Sequence, residues 1–483
     1  MTFVADFEPK SLWRHFDHIL TIPRGSKKEQ AMREYVIQVT KRSGLDYQVD
    51  DTGNVVVRKP PSSGREQVAV TILQGHMDMV NEKNSDVDHD FDKDPIKPRR
   101  DGEYLKATGT TLGSDNGIGI ATMLAIMEAK DLEHGPLELL FTVDEETGMT
   151  GASGLAGNML EGRRLINTDS EEEGVLTIGC AGGVDSRLYL SIAGIEAPPA
   201  SKALSIAVRG LRGGHSGVDI HLQRGNAIKL LVRALFAVSL EHRFLLAEIK
   251  GGSAHNAIPR EASAKVVVPA NESAAIRSSI EKELRAAQNE WRTVDPKLDY
   301  QVQHSGVPQQ VWDEATTGRA LGLINALPHG VIMMSNDIEG LVETSTNVAL
   351  VGVEDEQLSV LISSRSSVMT ALGALCQRIR AAAQLAGARV EQGDGYPSWQ
   401  PNIDSELLGV FQRTHEKVLG SNPRIGAIHA GLECSIIAEK YPGMDMISFG
   451  PQIEFPHSPD ERVKVESVEK FYRVLTAVLE ELP

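Results

Sequence analysis

VAVTIL at residues 68–73, GIGIATMLAIMEAK at 117–130 and LELLFTV at 137–143 decide the fold. The first and third are short, mainly apolar runs. The middle one is helix-length, apolar through most of its span and Gly-rich at its entry. A strand buried on both faces reads as such a run, and a helix between two of them is the connection that parallel strands need. Two further short runs, at 55–57 and 165–167, repeat the strand signal, and a stretch at 27–41 carries Ala31, Met32, Tyr35, Val36 and Val39 at helical spacing. The expected class is α/β, with a mostly parallel sheet and helices on both faces.

After Gly182-Gly183 the pattern changes. EAPPAS at 196–201 is turn-rich, and LSIAVRGL at 204–211 alternates in the manner of a half-exposed strand. Helix-like NAIKLLVRALFAVSL follows at 226–240, then strands near 244–250 and 264–268, then a charged helix over 273–292. Residues 186–396 therefore read as an inserted α+β domain. YPSWQPN at 396–402 reads as the linker back. The remaining segments (helices at 404–419, 432–440 and 465–481, a strand at 444–449) are expected to complete the first domain, giving a split 1–185 and 397–483.

Composition narrows the function. The 483 residues include 49 Lys+Arg against 66 Asp+Glu, a formal net charge of −17. Nucleic acid and anionic lipid both demand a basic surface, so neither is an expected partner. No run approaches the ~18 apolar residues of a membrane span. The opening MTFVADFEPKSLW lacks the basic and apolar regions of a signal peptide. Three cysteines, Cys180, Cys376 and Cys434, are too few and odd for a disulfide framework, which fits a reducing cytoplasm. The acidic run DVDHDFDKDP at 86–95 has Phe91 where a calcium loop needs glycine and Lys97 where it needs its final Glu.

Five short segments at strand ends or loop starts carry metal-ligating residue types: Gly75-His76-Met77-Asp78, Gly113-Ser114-Asp115-Asn116-Gly117, Asp144-Glu145-Glu146-Thr147, Asn167-Thr168-Asp169 and Pro456-His457-Ser458. Taken singly, each also reads as a loop histidine, a turn or cap aspartate, or a solvated acidic strand end. Taken together, two histidines and several carboxylates beyond strand ends favour a two-metal site, because α/β sheets build their sites there and crowded carboxylates need cations. Imidazole with carboxylate suits Zn²⁺, Co²⁺ or Mn²⁺. His76 and Asp78, two apart, share a face if the strand persists, which makes Asp78 an orienting partner for the imidazole.

GHMDMV (75–80), TLGSDNGIGIA (111–121), TVDEETGMTGA (142–152), INTDSEE (166–172), RGGHSG (212–217), HNAIP (255–259), HAGLEC (429–434) and FPHSPDE (455–461) occur in order over nearly the whole chain. As a set they resemble the aminoacyl-histidine dipeptidases, co-catalytic zinc peptidases related to carnosinase and to the aminoacylase and carboxypeptidase group. The resemblance implies two divalent metal ions, Zn²⁺ foremost with Co²⁺ or Mn²⁺ as alternatives, bridged by Asp115. His76 and Asp169 would complete one metal's protein ligands, and Glu146 and His457 the other's. Glu145 would be the general base and acid, and Asp78 the residue orienting His76. His215 would stabilise the oxyanion, and Asn256 and Arg365 would grip the substrate's free carboxylate.

The expected function is thus metal-dependent hydrolysis of dipeptides, Xaa-His pairs such as carnosine included. Residues 186–396 would act as lid and homodimer surface, since an exposed edge on a small sheet invites pairing. Two other readings stay open on sequence: an aminoacylase- or tripeptidase-type amidohydrolase on the same scaffold, and a catalytically silent metal- or peptide-binding protein.

Overall fold

The computed structural model describes residues 2–483. The chain divides into two compact units. One gathers the residues up to Cys180 with Trp399–Ala427 and Leu432–Pro483; the other is Ala181–Ser398 with Ile428–Gly431.

The first unit is built on an eight-stranded sheet. Its order is Asp46–Val49, Val55–Lys59, Leu137–Thr142, Thr71–His76, Arg164–Asn167, Asp445–Ser448, Val175–Cys180, Arg424–Ile428. The centre is parallel: Thr71–His76 pairs in parallel with Leu137–Thr142 and with Arg164–Asn167, which pairs in parallel with Asp445–Ser448. The flanking pairs involving Val55–Lys59 and Val175–Cys180 are antiparallel. Thr71–His76 and Leu137–Thr142 are buried at every position, which is why their apolar runs show no alternation. A strand contributed by the last part of the chain lies inside this sheet, so the fold of the first unit needs residues on both sides of the second.

The strand expected at 68–73 runs instead from Thr71 to His76. VAV and TIL are equally apolar, so hydropathy alone does not place the start. Pairing does: Thr71 lies opposite Leu137 and His76 opposite Thr142. The helix between the strands spans Ser114–Glu128 and is buried from Ser114 to Met127, as an all-round apolar helix must be. Lys59 closes its C-terminal end, donating from Nζ to the carbonyls of Ile126 and Ala129 at 2.6 Å each.

A separate four-stranded sheet joins Ile453–Glu454, Arg462–Lys464, Tyr104–Ala107 and Pro98–Asp101. It matters for the site because its hairpin holds the 455–461 turn, while Tyr104–Ala107 feeds the loop that reaches Asp115.

The second unit is α+β. Its nine-stranded sheet runs Asp299–Ser305, Ser201–Arg209, Ala262–Pro269, Leu245–Gly251, Val342–Glu354, Gln357–Ser366, Gly182–Ser191, Arg389–Gln392, with Gly330–Met334 paired onto Val342–Glu354. Leu231 and Leu235 of helix Ala227–Ser239, Ile276 and Ile280 of Ser273–Trp291 and Ile379 of Met369–Leu385 share one core with the inward strand residues. Asn226 caps the first of these helices, accepting from the Lys229 amide at 3.2 Å. Among the described residues no helix is long and apolar enough to cross a membrane.

Candidate metal centre

Parallel strands in register bring their carboxyl ends to one edge, and the acidic and imidazole side chains collect there. His76 ends its own strand and is 1% exposed. Leu137–Thr142 stops at Thr142, so the three acids that follow lie beyond the strand, not on its last residues. Asp144 takes a left-handed conformation (φ 50°), and Glu145–Gly148 then forms one helical turn. That turn is pinned from several sides. Asp144 accepts from the hydroxyls of Thr147 and Thr150, and Glu29 Oε1 accepts from the Asp144 amide at 3.0 Å. Asp169 follows the Arg164–Asn167 strand, its amide donating to Asn167 Oδ1 at 3.1 Å. A Cβ on Gly75 would lie 2.4 Å from Asn116 Oδ1, so glycine lets the Asp115 turn approach the His76 strand.

Two clusters result, and they share one residue. His76 Nε2 lies 3.0 Å from Asp115 Oδ1 and 3.1 Å from Asp169 Oδ1. His457 Nε2 lies 3.1 Å from Asp115 Oδ2 and 3.0 Å from Glu146 Oε2. Asp115 thus turns one oxygen to each imidazole. Glu145 lies close enough to His76 and Glu146 for the three to offer ligand atoms within 4.8 Å of one another. Asp78 faces the other side of His76, with Oδ1 3.2 Å from Nδ1; the same carboxylate accepts from the amides of Glu145 and Glu146 at 3.1 and 3.2 Å. The strand has ended by then, yet the chain bends so that this pair still meets.

The donor set fits divalent cations. Glu146 Oε1 is buried with no hydrogen-bond donor. A buried acceptor left so is costly unless a cation meets it. Without cations the cluster is strained electrostatically. Burial pushes Asp169 up to about 6, with His76 opposing and Asp115 and Glu146 adding to the rise. Burial likewise raises Glu145 well above the usual carboxylate range, against the pull of His76. The hydrogen bonds His457 donates to Asp115 and Glu146 raise its pKa to about 11. Burial alone would lower His76, but Asp169, Asp115 and Asp78 outweigh it and raise it well above its ordinary value. Asp78 goes the other way, to about 2: burial works against its charge and the bond to His76 prevails. Imidazoles that bind protons this strongly are responding to surplus negative charge, which bound cations would neutralise.

Two residues essential to this geometry escaped the sequence reading. Glu461, 2% exposed, accepts from the amides of Leu112 and Gly113 at 2.7 and 2.8 Å through Oε2, and from the Ser114 amide and hydroxyl and the Asp115 amide through Oε1. It ties the His457 turn to the Asp115 turn. Arg24, also buried, donates to the carbonyls of Met77, Asp78 and Gly113. Their partners are backbone groups, which leave no pattern of residue types. The only available signal was Glu461's place four residues after His457.

The other three site residues belong to the second unit. His215 lies in a loop with Gly213 and Gly214 at positive φ. Its Nδ1 accepts from the amides of Gly217 and Val218 at 3.2 and 3.0 Å, which leaves the ring hydrogen on Nε2. Burial lowers its pKa, with Arg365 adding to the effect. Arg365, on Gln357–Ser366 and 8% exposed, donates to Tyr396 Oη at 2.6 Å, while its Nε is buried without an acceptor. A Cβ on Gly217 would lie 3.1 Å from His215 Cε1 and 3.3 Å from Arg365 Cδ, so the two side chains flank that glycine. Asn256 is exposed, and its carbonyl accepts from the Ser216 amide at 2.8 Å. Sequence reading also passed over His429, buried beside this group with Nε2 2.7 Å from Ser345 Oγ.

Histidine and carboxylate clusters sharing an aspartate, at the carboxyl ends of parallel strands in an α/β unit, define a dinuclear metallohydrolase scaffold. The chain belongs to peptidase family M20/M25/M40, whose model matches residues 72–481. It is 40% identical over 483 residues to the cytosol non-specific dipeptidase of Escherichia coli (strain K12), covering 100% of both chains. It superposes on the crystal structure of aminoacylhistidine dipeptidase from Vibrio alginolyticus with a TM-score of 0.93 at 42% identity, over 100% of this chain and 98% of that one. Aminopeptidase PepT from Bacillus cereus ATCC 10987 shares the fold at a TM-score of 0.58 and 16% identity, over 99% of both chains. The resemblance drawn from the sequence motifs therefore holds along the full chain.

Proposed function

We propose that this protein hydrolyses dipeptides with free amino and carboxyl termini, over a range of side chains that includes Xaa-His pairs such as carnosine. The observation that carries this reading is the full-length 40% identity to a non-specific dipeptidase. The paired clusters around Asp115 agree with it.

In this reading His76 and Asp169 hold one divalent cation, Glu146 and His457 the other, and Asp115 is shared. Zn²⁺ suits these donors, with Co²⁺ or Mn²⁺ as alternatives. Bound there, such ions would supply Lewis acidity for a scissile carbonyl and would acidify a nearby water. Glu145 would accept a proton from the attacking water and return it to the departing amine. Asp78 fixes the His76 ring, leaving Nε2 free to ligate. His215 offers its Nε2–H to the developing oxyanion. Arg365 and Asn256 bind the substrate carboxylate through guanidinium and amide. The second unit serves as lid and homodimer surface, and the protein works in the cytoplasm.

The test is hydrolysis by the purified chain with Zn²⁺, Co²⁺ or Mn²⁺ supplied. Substrates are Xaa-His and other unblocked dipeptides, tripeptides and N-acetyl amino acids. Cleavage of the unblocked dipeptides is expected. Inertness towards all of them overturns the reading, and preference for N-acyl substrates replaces it with an aminoacylase.

A further inference from the structure

One carboxylate of the first unit is fully buried yet belongs to neither cluster. Glu433 opens helix Glu433–Lys440 and is 1% exposed. Its Oε2 accepts from Gln74 Nε2 at 2.6 Å and from Thr142 Oγ1 at 2.7 Å. Gln74 Oε1 in turn accepts from Asn167 Nδ2 at 2.5 Å, and Asn167 Oδ1 accepts from the Asp169 amide at 3.1 Å. Gln74, Thr142 and Asn167 are themselves fully buried or nearly so.

The positions of these partners give the network its meaning. Gln74 is two residues before His76, on the same strand face. Thr142 is the last residue of its strand, directly opposite His76, and leads into the turn bearing Glu145 and Glu146. Asn167 ends the strand that delivers Asp169. A single side chain from the last part of the sequence therefore reaches two of the three candidate ligand-bearing strands directly and the third through Gln74. Without it, the Gln74 amide and the Thr142 hydroxyl lose their shortest acceptor and keep only longer contacts, Gln74 Nε2 to Thr142 Oγ1 at 3.2 Å and Thr142 Oγ1 to the Gly75 carbonyl at 3.3 Å, and buried donors held less well let the strand ends shift.

We propose that Glu433 is a positioning residue for cation binding: through its hydrogen bonds, and not its charge, it holds the strand ends carrying His76, Glu145, Glu146 and Asp169 in one arrangement. It rests on the reading of His76, Asp115, Glu146, Asp169 and His457 as ligands. The second oxygen sharpens it. Glu433 Oε1 is buried and receives no hydrogen bond, so all the anchoring passes through Oε2. A glutamine can reproduce that contact with its amide oxygen.

The experiment is calorimetric titration of Co²⁺ into the cation-stripped full chain, for wild type, Glu433→Gln, Glu433→Leu and Thr142→Val, with thermal melts alongside. Wild type and Glu433→Gln should bind alike. Glu433→Leu should bind roughly 10- to 100-fold more weakly, the range seen when a partner that orients a ligand is removed. Thr142→Val, nearly isosteric, should weaken binding in the same direction by less. If Glu433→Leu does not fold, Thr142→Val decides alone, and wild-type affinity in it overturns the proposal. Wild-type affinity in a folded Glu433→Leu overturns it as well. Equal weakening in Glu433→Gln and Glu433→Leu shows that charge matters and also overturns it. Absence of Co²⁺ binding by wild type is a different failure, that of the ligand reading itself.

Discussion

Asp115 Oδ2 and His457 Nε2 lie 3.1 Å apart across 342 positions of sequence. The other oxygen of the same carboxylate faces His76 at 3.0 Å. One short side chain therefore joins a histidine from the first part of the chain to one from its last thirty residues, and the consequences can be measured.

Removing that carboxylate should affect both clusters. Asp115→Ala is expected to lower the bound divalent cation from two equivalents to one or fewer, and His457→Ala to remove one only. Elemental analysis after dialysis distinguishes them. Two tightly held equivalents in Asp115→Ala would show that the aspartate is not shared.

Glu145 has a different part. It belongs to the acidic turn, but the shared-aspartate clusters are complete without it. Glu145→Ala should keep its cation content while dipeptide turnover falls by about 10²–10⁴ or more, the contribution of a positioned acid–base group. Near-normal turnover removes Glu145 from the mechanism.

Glu461 should behave as a structural keystone. Its two oxygens receive four backbone amides and one hydroxyl. Glu461→Gln replaces one acceptor with an NH₂ group facing N–H donors. We expect a loss of about 2–3 kcal/mol in urea unfolding, from donors left unsatisfied. Cation affinity should fall with it. Unchanged stability would mean that the 112–115 turn holds itself.

Acid should destabilise the second unit through His429. Burial, with Arg365 and then His215 adding to it, pushes this imidazole down from 6.5 to about 3. Between those values the unfolded chain binds a proton that the folded one refuses, so stability rises with pH across the window. The stabilisation is fully present above pH 6.5 and is lost on acidification towards 3. Melts recorded from pH 7 to pH 4 should show a smaller fall in Tm for His429→Gln than for wild type. An identical slope would place the acid sensitivity elsewhere.

Much of the first unit is legible from the chain because its strands are buried on both faces and its central helix is buried all round. Val55–Lys59, Leu137–Thr142 and Arg164–Asn167 announce themselves as apolar runs for that reason. The candidate ligand segments are legible because histidine and carboxylate at strand ends or loop starts have few other uses when they recur in five segments. The start of Thr71–His76 is not legible, because the mainly apolar run VAVTIL carries no mark of where pairing begins. Nor is the turn at Asp144, whose left-handed backbone depends on Thr147, Thr150 and Glu29.

By itself, the sequence determined the α/β class, the change of character after Gly182-Gly183 and the residue types able to hold cations, since hydropathy period and side-chain chemistry are local properties. Tertiary structure decided which oxygen of Asp115 faces which imidazole, that Glu461 and Arg24 brace the turns at 112–115 and 77–78, and that Glu433 bonds Gln74 and Thr142 on two neighbouring strands. Those are contacts to backbone groups or between residues tens to hundreds of positions apart. Their partners exist only once the parallel strands are in register and the last part of the chain has taken its place in the first unit.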